Sequence, residues 1–120
     1  MFGFMRGPGA AKISAQDAIK GVEDGSVTVI DVREPMEVAQ TGKAKGALHI
    51  PMMLLQSKAD PRHPEFHPDL NTSSTIALYC ASGARSASAA QMLAQMGFSD
   101  VRNIGGLHDW ARAGGAIEQA

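Results

Sequence analysis

The chain has 120 residues, 44% of them hydrophobic and 19% charged, with a formal net charge of -1. That length builds one domain with a real core and is too short for two. The near-zero charge offers no bulk field to select nucleic acid or another polyelectrolyte, so any preference for an anion must come from a local site.

The lone cysteine, Cys80, has no partner for an intramolecular disulfide, which favours a reducing compartment. No apolar run reaches signal-peptide or bilayer-spanning length, so the expectation is a cytoplasmic protein with no membrane partner. Asn71 to Ser73 spell a glycosylation sequon, which carries no meaning without secretion.

Residues 1–10 ("MFGFMRGPGA") show no periodicity and read as a flexible lead-in to one domain over residues 11–120. Lys12 and Ile13 suggest a short edge strand. Ser14, with Asp17 three positions on, is a helix N-cap signature. Ala18, Ile19 and Val22 then form the buried face, and Gly25 ends the helix. "VTVIDV" (residues 27–32) is β-branched and nearly all apolar, as expected of a strand buried on both faces. Pro35 suits the first turn of a short helix through Met36, Val38 and Ala39. "ALHIP" is a second short strand stopped by Pro51. "MMLLQSKA" reads as helical, and the proline-broken "DPRHPEFHPDL" as an irregular surface excursion.

"TIALYC" (residues 75–80) is a further buried strand. The helix after it presents Ala87, Ala90, Leu93 and Ala94, a narrow face able to lie close on a sheet, and Gly97 ends it. "VRNI" reads as the last strand, Gly105-Gly106 as a turn, and "LHDWARA" as a final helix with Leu107, Trp110 and Ala111 inward. Strands alternating with helices in so short a chain predict an α/β fold, a small parallel sheet with helices on both faces. Ligands bind such sheets beyond the carboxyl ends of the strands. Asp31 and Arg33 stand at one such end and Cys80 at another, so all three point to one edge.

"CASGAR" joins the end of that strand to the start of a helix. The small residues Ala81, Ser82, Gly83 and Ala84 let successive amides face inward as an anion nest, and the helix terminus adds its own unpaired N–H groups. The nearest anion is the Cys80 sulfur itself. A helix N-terminus and the nearby Arg85 both favour a thiolate, a nucleophile that needs no histidine as base. The competing reading is an inert buried thiol, the usual fate of a free cysteine.

Together "CASGARS", "VIDVREPMEV", "GALHIP" and "NIGGLHDWARAG" resemble a single-domain rhodanese, a sulfurtransferase, over residues 13–117. The resemblance implies that Cys80 carries a sulfane sulfur as a persulfide, from a donor such as thiosulfate to a thiol or cyanide acceptor, thioredoxin and glutathione being examples. It implies that the amides of Ala81 to Arg85 cradle the outer sulfur, that Arg85 offers charge to an anionic donor, and that no cofactor or metal takes part. Cysteine phosphatases and arsenate reductases share the strand–loop–helix nucleophile. Their signature, however, sets cysteine and arginine one residue further apart than the four residues between Cys80 and Arg85. A non-catalytic binding module of the same fold is the other alternative, though such modules usually lose the cysteine or glycine kept here.

Plainer roles are expected elsewhere. Asp31 fixes backbone by hydrogen bonds, and Arg33 pairs with Glu34 or Glu37 or faces the site. His49 is a hydrogen-bonded, partly buried side chain, and His108 faces solvent. His63 and His67 have metal-ligand spacing spoiled by Pro64. The methionines are core filler, with Met52 and Met53 candidates for the mouth of the site.

Overall fold

A computed structural model describes residues 11–119; the lead-in expected over residues 1–10 lies outside them. Ser14 opens the first helix as its spacing predicts, its Oγ accepting from the Asp17 amide at 3.1 Å. That helix, α1 (Ala15–Asp24), follows the short strand β1 (Ala11–Lys12) and ends at Gly25, whose φ of 83° is the left-handed conformation glycine adopts freely. Next come β2 (Val27–Asp31), α2 (Pro35–Thr41), β3 (Lys43–Ala44) and β4 (Leu48–His49). A 3₁₀ turn at Met52–Leu54 leads into α3 (Leu55–Lys58). The chain closes with β5 (Thr75–Cys80), α4 (Ala84–Gln95), β6 (Asp100–Gly106), α5 (Leu107–Arg112) and β7 (Ile117–Glu118).

Five strands form one parallel sheet in the order β1-β6-β5-β2-β4. The expected α/β class is the observed one. Side chains alternate across the sheet, so Ile30, Val32, Ile76, Leu78 and Cys80 pack on one face with Leu55, Ala89, Ala90 and Leu93. Val29, Ala77 and Tyr79 pack on the other with Ala15, Ala18 and Trp110. Both faces are covered because the helical crossovers between parallel strands lie on both sides of the sheet.

α2 covers Met36, Val38 and Ala39 as expected, with Val38 buried and the other two facing solvent. Several local expectations are corrected. The buried stripe of α4 is Ser86, Ala89, Ala90 and Leu93, while Ala94 is exposed and Ala87 half-buried. Alanine is weakly apolar, so an alanine-rich helix does not mark its inward stripe; the stripe includes Ser86 because that hydroxyl finds partners inside. Ala111 of α5 is likewise outside, while Trp110 is buried as expected and Leu107 packs half-buried against the same core. Gly105 and Gly106 belong to β6 rather than to a separate turn, and a register shift opposite Leu78 and Tyr79 marks a bulge there. β6 is not the last strand, since β7 pairs antiparallel with β3 in a two-stranded ribbon. Strands of two residues carry no periodicity to be read.

Candidate active site

β5 and β2 run side by side in parallel register, Asp31 opposite Tyr79, so their ends reach the same edge of the sheet. Past that edge the two chains diverge. Cys80 continues the alternation of Ile76 and Leu78 and turns its sulfur towards the face covered by α4. Asp31 and Tyr79 turn to the opposite face, where the Tyr79 hydroxyl donates to Asp31 Oδ2 at 2.5 Å. Sequence position alone placed Asp31, Arg33 and Cys80 together; the alternation separates them.

Gly83, with φ of 108°, bends the loop back under the sulfur, and its amide donates to Cys80 Sγ at 3.0 Å. The Ser86 hydroxyl lies 3.5 Å from the same sulfur. α4 has no side-chain N-cap, and the sulfur stands among its unpaired amides instead. Burial pushes the Cys80 thiol up, with 1% of the residue exposed. The Ser86 hydroxyl and the Ser86, Gly83 and Ser82 amides outweigh it and hold the thiol below its ordinary pKa. Ala81, Ser82 and Ala84 are exposed around this bend, with Gly83 and Arg85 half-buried.

Arg85 does not stand free at the loop. Its two terminal nitrogens fork onto the Glu37 carboxylate of α2 at 2.7 and 2.8 Å. Arg85 holds the Glu37 carboxyl down at about 2, and Glu37 in turn raises the guanidinium pKa, with a further contribution from the Cys80 sulfur. Arg33 pairs with neither Glu34 nor Glu37. Its guanidinium, 3% exposed as a residue, meets Asp31, Thr41 Oγ1 and the Gly42 carbonyl.

Two further residues, Asn103 and Gly106, support the loop, and sequence reasoning assigned neither a role there. Asn103 donates from Nδ2 to the Gly83 carbonyl at 3.1 Å, while its Oδ1 accepts from the Gly105 amide at 3.0 Å and lies 2.8 Å from Ser86 Oγ. An asparagine inside a strand and just before a glycine pair was the available signal, because asparagine is depleted in strands and glycine there marks a bulge or a close backbone approach. Gly106 supplies that approach: a Cβ on it would lie 2.2 Å from the Ala81 carbonyl oxygen. Its φ of −125° suits any residue, so the constraint is space alone. Gly106→Ala is therefore expected to push the cysteine loop outward, destabilising the fold by about 1–3 kcal/mol and slowing Cys80 chemistry. Thermal unfolding and the alkylation rate of Cys80 check both effects.

His49 is half-buried with Nε2 2.8 Å from the Arg33 carbonyl oxygen, and His108 is exposed. His63 and His67 each accept, through Nδ1, from the amide two residues on, at Glu65 and Asp69. Met36 and Met53 are 72% and 76% exposed, so these two are not core filler. Met53 lines an open groove of about 660 Å³ with Gln56, Arg62, His63 and Met96, and no residue of the cysteine loop borders it.

The Rhodanese-like domain family matches this chain over residues 14–113. A sulfurtransferase of Allochromatium vinosum is 39% identical over 89 residues, 73% of this chain and 75% of that protein. The thiosulfate sulfurtransferase PspE of Escherichia coli is 38% identical over 82 residues, 68% of this chain and 72% of its own. Among solved structures, a protein of unknown function from Rhodopseudomonas palustris, described as a possible tyrosine phosphatase, superposes with a TM-score of 0.80. It is 34% identical, over 91% of this chain and 85% of that one.

Proposed function

The chain belongs to the rhodanese-like domain family, and from that membership we propose that it moves a sulfane sulfur from a donor such as thiosulfate to a thiophilic acceptor through a persulfide on Cys80. The observation that carries this reading is the Gly83 amide donating to Cys80 Sγ at 3.0 Å, at the unpaired end of α4. With thiosulfate, the Cys80 thiolate attacks the outer sulfur, the sulfur–sulfur bond breaks, and sulfite leaves with the bonding pair. The charge on the new terminal sulfur rests among the amides of Ala81 to Arg85 and the Ser86 hydroxyl. An acceptor thiolate or cyanide then attacks that terminal sulfur, and Cys80 leaves again as a thiolate.

This chemistry draws on no cofactor or metal, and its acceptor is cyanide or a thiol such as glutathione or thioredoxin. A lone thiol kept reduced between turnovers suits a cytoplasmic setting. Among the described residues no helix is long and apolar enough to cross a membrane.

The test is intact mass spectrometry after incubation with thiosulfate. One added sulfur atom is expected, removable by cyanide as thiocyanate. Cysteine-dependent hydrolysis of an aryl phosphate without sulfur uptake would replace this reading with a phosphatase. Neither activity, despite a reactive thiolate, would leave a binding module.

A further inference from the structure

We propose that Glu37 sets the donor class of this site, neutralising the loop's guanidinium so that Cys80 favours sulfane donors of low charge over dianions such as thiosulfate; this rests on the sulfurtransferase reading above. The cysteine loop carries one cationic side chain, Arg85, and both of its terminal nitrogens are occupied by Glu37. Arg33, the other arginine near this edge, is buried against Asp31 on the far face of the sheet. An incoming dianion thus meets an ion pair with no net charge, and the backbone nest is left as the main attraction.

The pairing is built rather than adventitious. Glu37 stands at the third position of α2, which Pro35 opens, and its Oε1 also accepts from the Glu34 amide at 2.9 Å. The carboxylate is therefore fixed from behind by its own helix and from in front by the fork. Held down at about 2, it stays ionised at neutral pH, so the neutralisation is permanent there. The guanidinium is 37% and the carboxylate 34% exposed, so the pair meets solvent beside the cysteine loop.

A donor of the form RSSH escapes this penalty. The Cys80 thiolate attacks the outer sulfur, the sulfur–sulfur bond breaks, and RS⁻ leaves and takes up the proton as RSH. The new persulfide keeps the single negative charge that the thiolate held. No second negative group has to be accommodated beside Glu37.

Glu37→Gln keeps an oxygen for the Glu34 amide and for Arg85 while removing the charge. Two readouts are needed, one of them independent of sulfur transfer. Alkylation of Cys80 by anionic iodoacetate, divided by that by neutral iodoacetamide, is expected to rise about fivefold in Glu37→Gln, from the loss of one unit charge at an exposed site. For sulfur uptake, kcat/KM for thiosulfate is expected to rise about tenfold or more, chiefly through KM, and to become salt-sensitive. With the persulfide of 2-mercaptoethanol the change stays within about threefold. Glu37→Gln combined with Arg85→Gln loses the gain. An unchanged alkylation ratio, or equal changes for both donors, overturns the role of Glu37. Absence of sulfur uptake from either donor, with the alkylation ratio still shifted, overturns the sulfurtransferase reading and leaves the electrostatic role of Glu37 standing.

Discussion

Cys80→Ser is expected to abolish sulfur uptake, a loss of about a thousandfold or more in line with removal of a covalent nucleophile, while the protein stays folded. Serine matches cysteine in size and its hydroxyl can take the Gly83 amide in the sulfur's place, so the unfolding free energy changes by about 1 kcal/mol. The wild-type thiol is expected to react with iodoacetamide with an apparent pKa below the ordinary value of about 8.5. The cause is local, because Ser86 Oγ and three amides favour the charged sulfur against the opposing pull of burial. Ser86→Ala is expected to move the alkylation midpoint back up. Stability carries the same information. A thiol whose pKa is depressed on folding stabilises the native state as pH rises from the folded value to the unfolded one, and loses that contribution as pH falls through the folded value. Wild type is thus expected to gain stability relative to Cys80→Ser over that window, by denaturant unfolding at stepped pH. An alkylation midpoint at or above the ordinary value, with no relative gain, would mean an inert core thiol.

The fold was legible in the sequence wherever a segment was long and one-sided in character. "VTVIDV" and "TIALYC" declared central strands because both of their faces are largely buried and the polar residues at their starts are threonines, themselves strand formers. Ser14, Gly25 and Pro35 marked helix ends because each serves a backbone need that few residues meet. The cysteine loop was legible too, since glycine, small residues and a following helix restrict what the backbone can do. What stayed hidden depends on contacts between distant elements. Glu37 and Arg85 are 48 positions apart, and nothing in either local pattern says that α2 stands against the loop. Asn103 reads as one residue of a strand until the sheet order sets β6 beside β5 and its amide beneath Gly83. The direction of Asp31 and Arg33 was legible only in principle: alternation along "VID" and "LYC" already sends Asp31 and Cys80 to opposite faces once the register of the two strands is known.

Asp31→Ala is expected to be among the most destabilising single changes in the chain, at about 3–5 kcal/mol. The sequence alone suggested an ordinary scaffold aspartate, whose loss removes a hydrogen bond or two. The structure shows a carboxylate with no exposure that holds a whole network. Its Oδ1 accepts from the Arg33 amide at 2.9 Å and from Nε at 3.0 Å, and Oδ2 accepts from Arg33 Nη2 at 2.8 Å and from Tyr79 Oη. The Tyr79 hydroxyl accepts in turn from the Ala44 amide at 2.9 Å, tying the β3 ribbon to the sheet. Removing the carboxylate strands a guanidinium that has almost no access to water, so the loss is an uncompensated buried charge rather than a missing attraction. Against a domain stability of about 5–15 kcal/mol, a large share of the fold's margin disappears. Urea unfolding measures that share. Because Asp31 and Cys80 face opposite sides of the sheet, sulfur uptake per folded molecule is expected to stay near the wild-type value. Full stability with uptake abolished would instead make Asp31 a direct participant. The decisive comparison is the coordinated replacement Asp31→Leu, Arg33→Met and Tyr79→Phe. A buried ion pair is held against a large desolvation penalty, and apolar groups of similar volume can replace the whole set at little loss. The triple variant is therefore expected to be more stable than Asp31→Ala alone, and if it is not, the network supplies net stability beyond balancing its own burial.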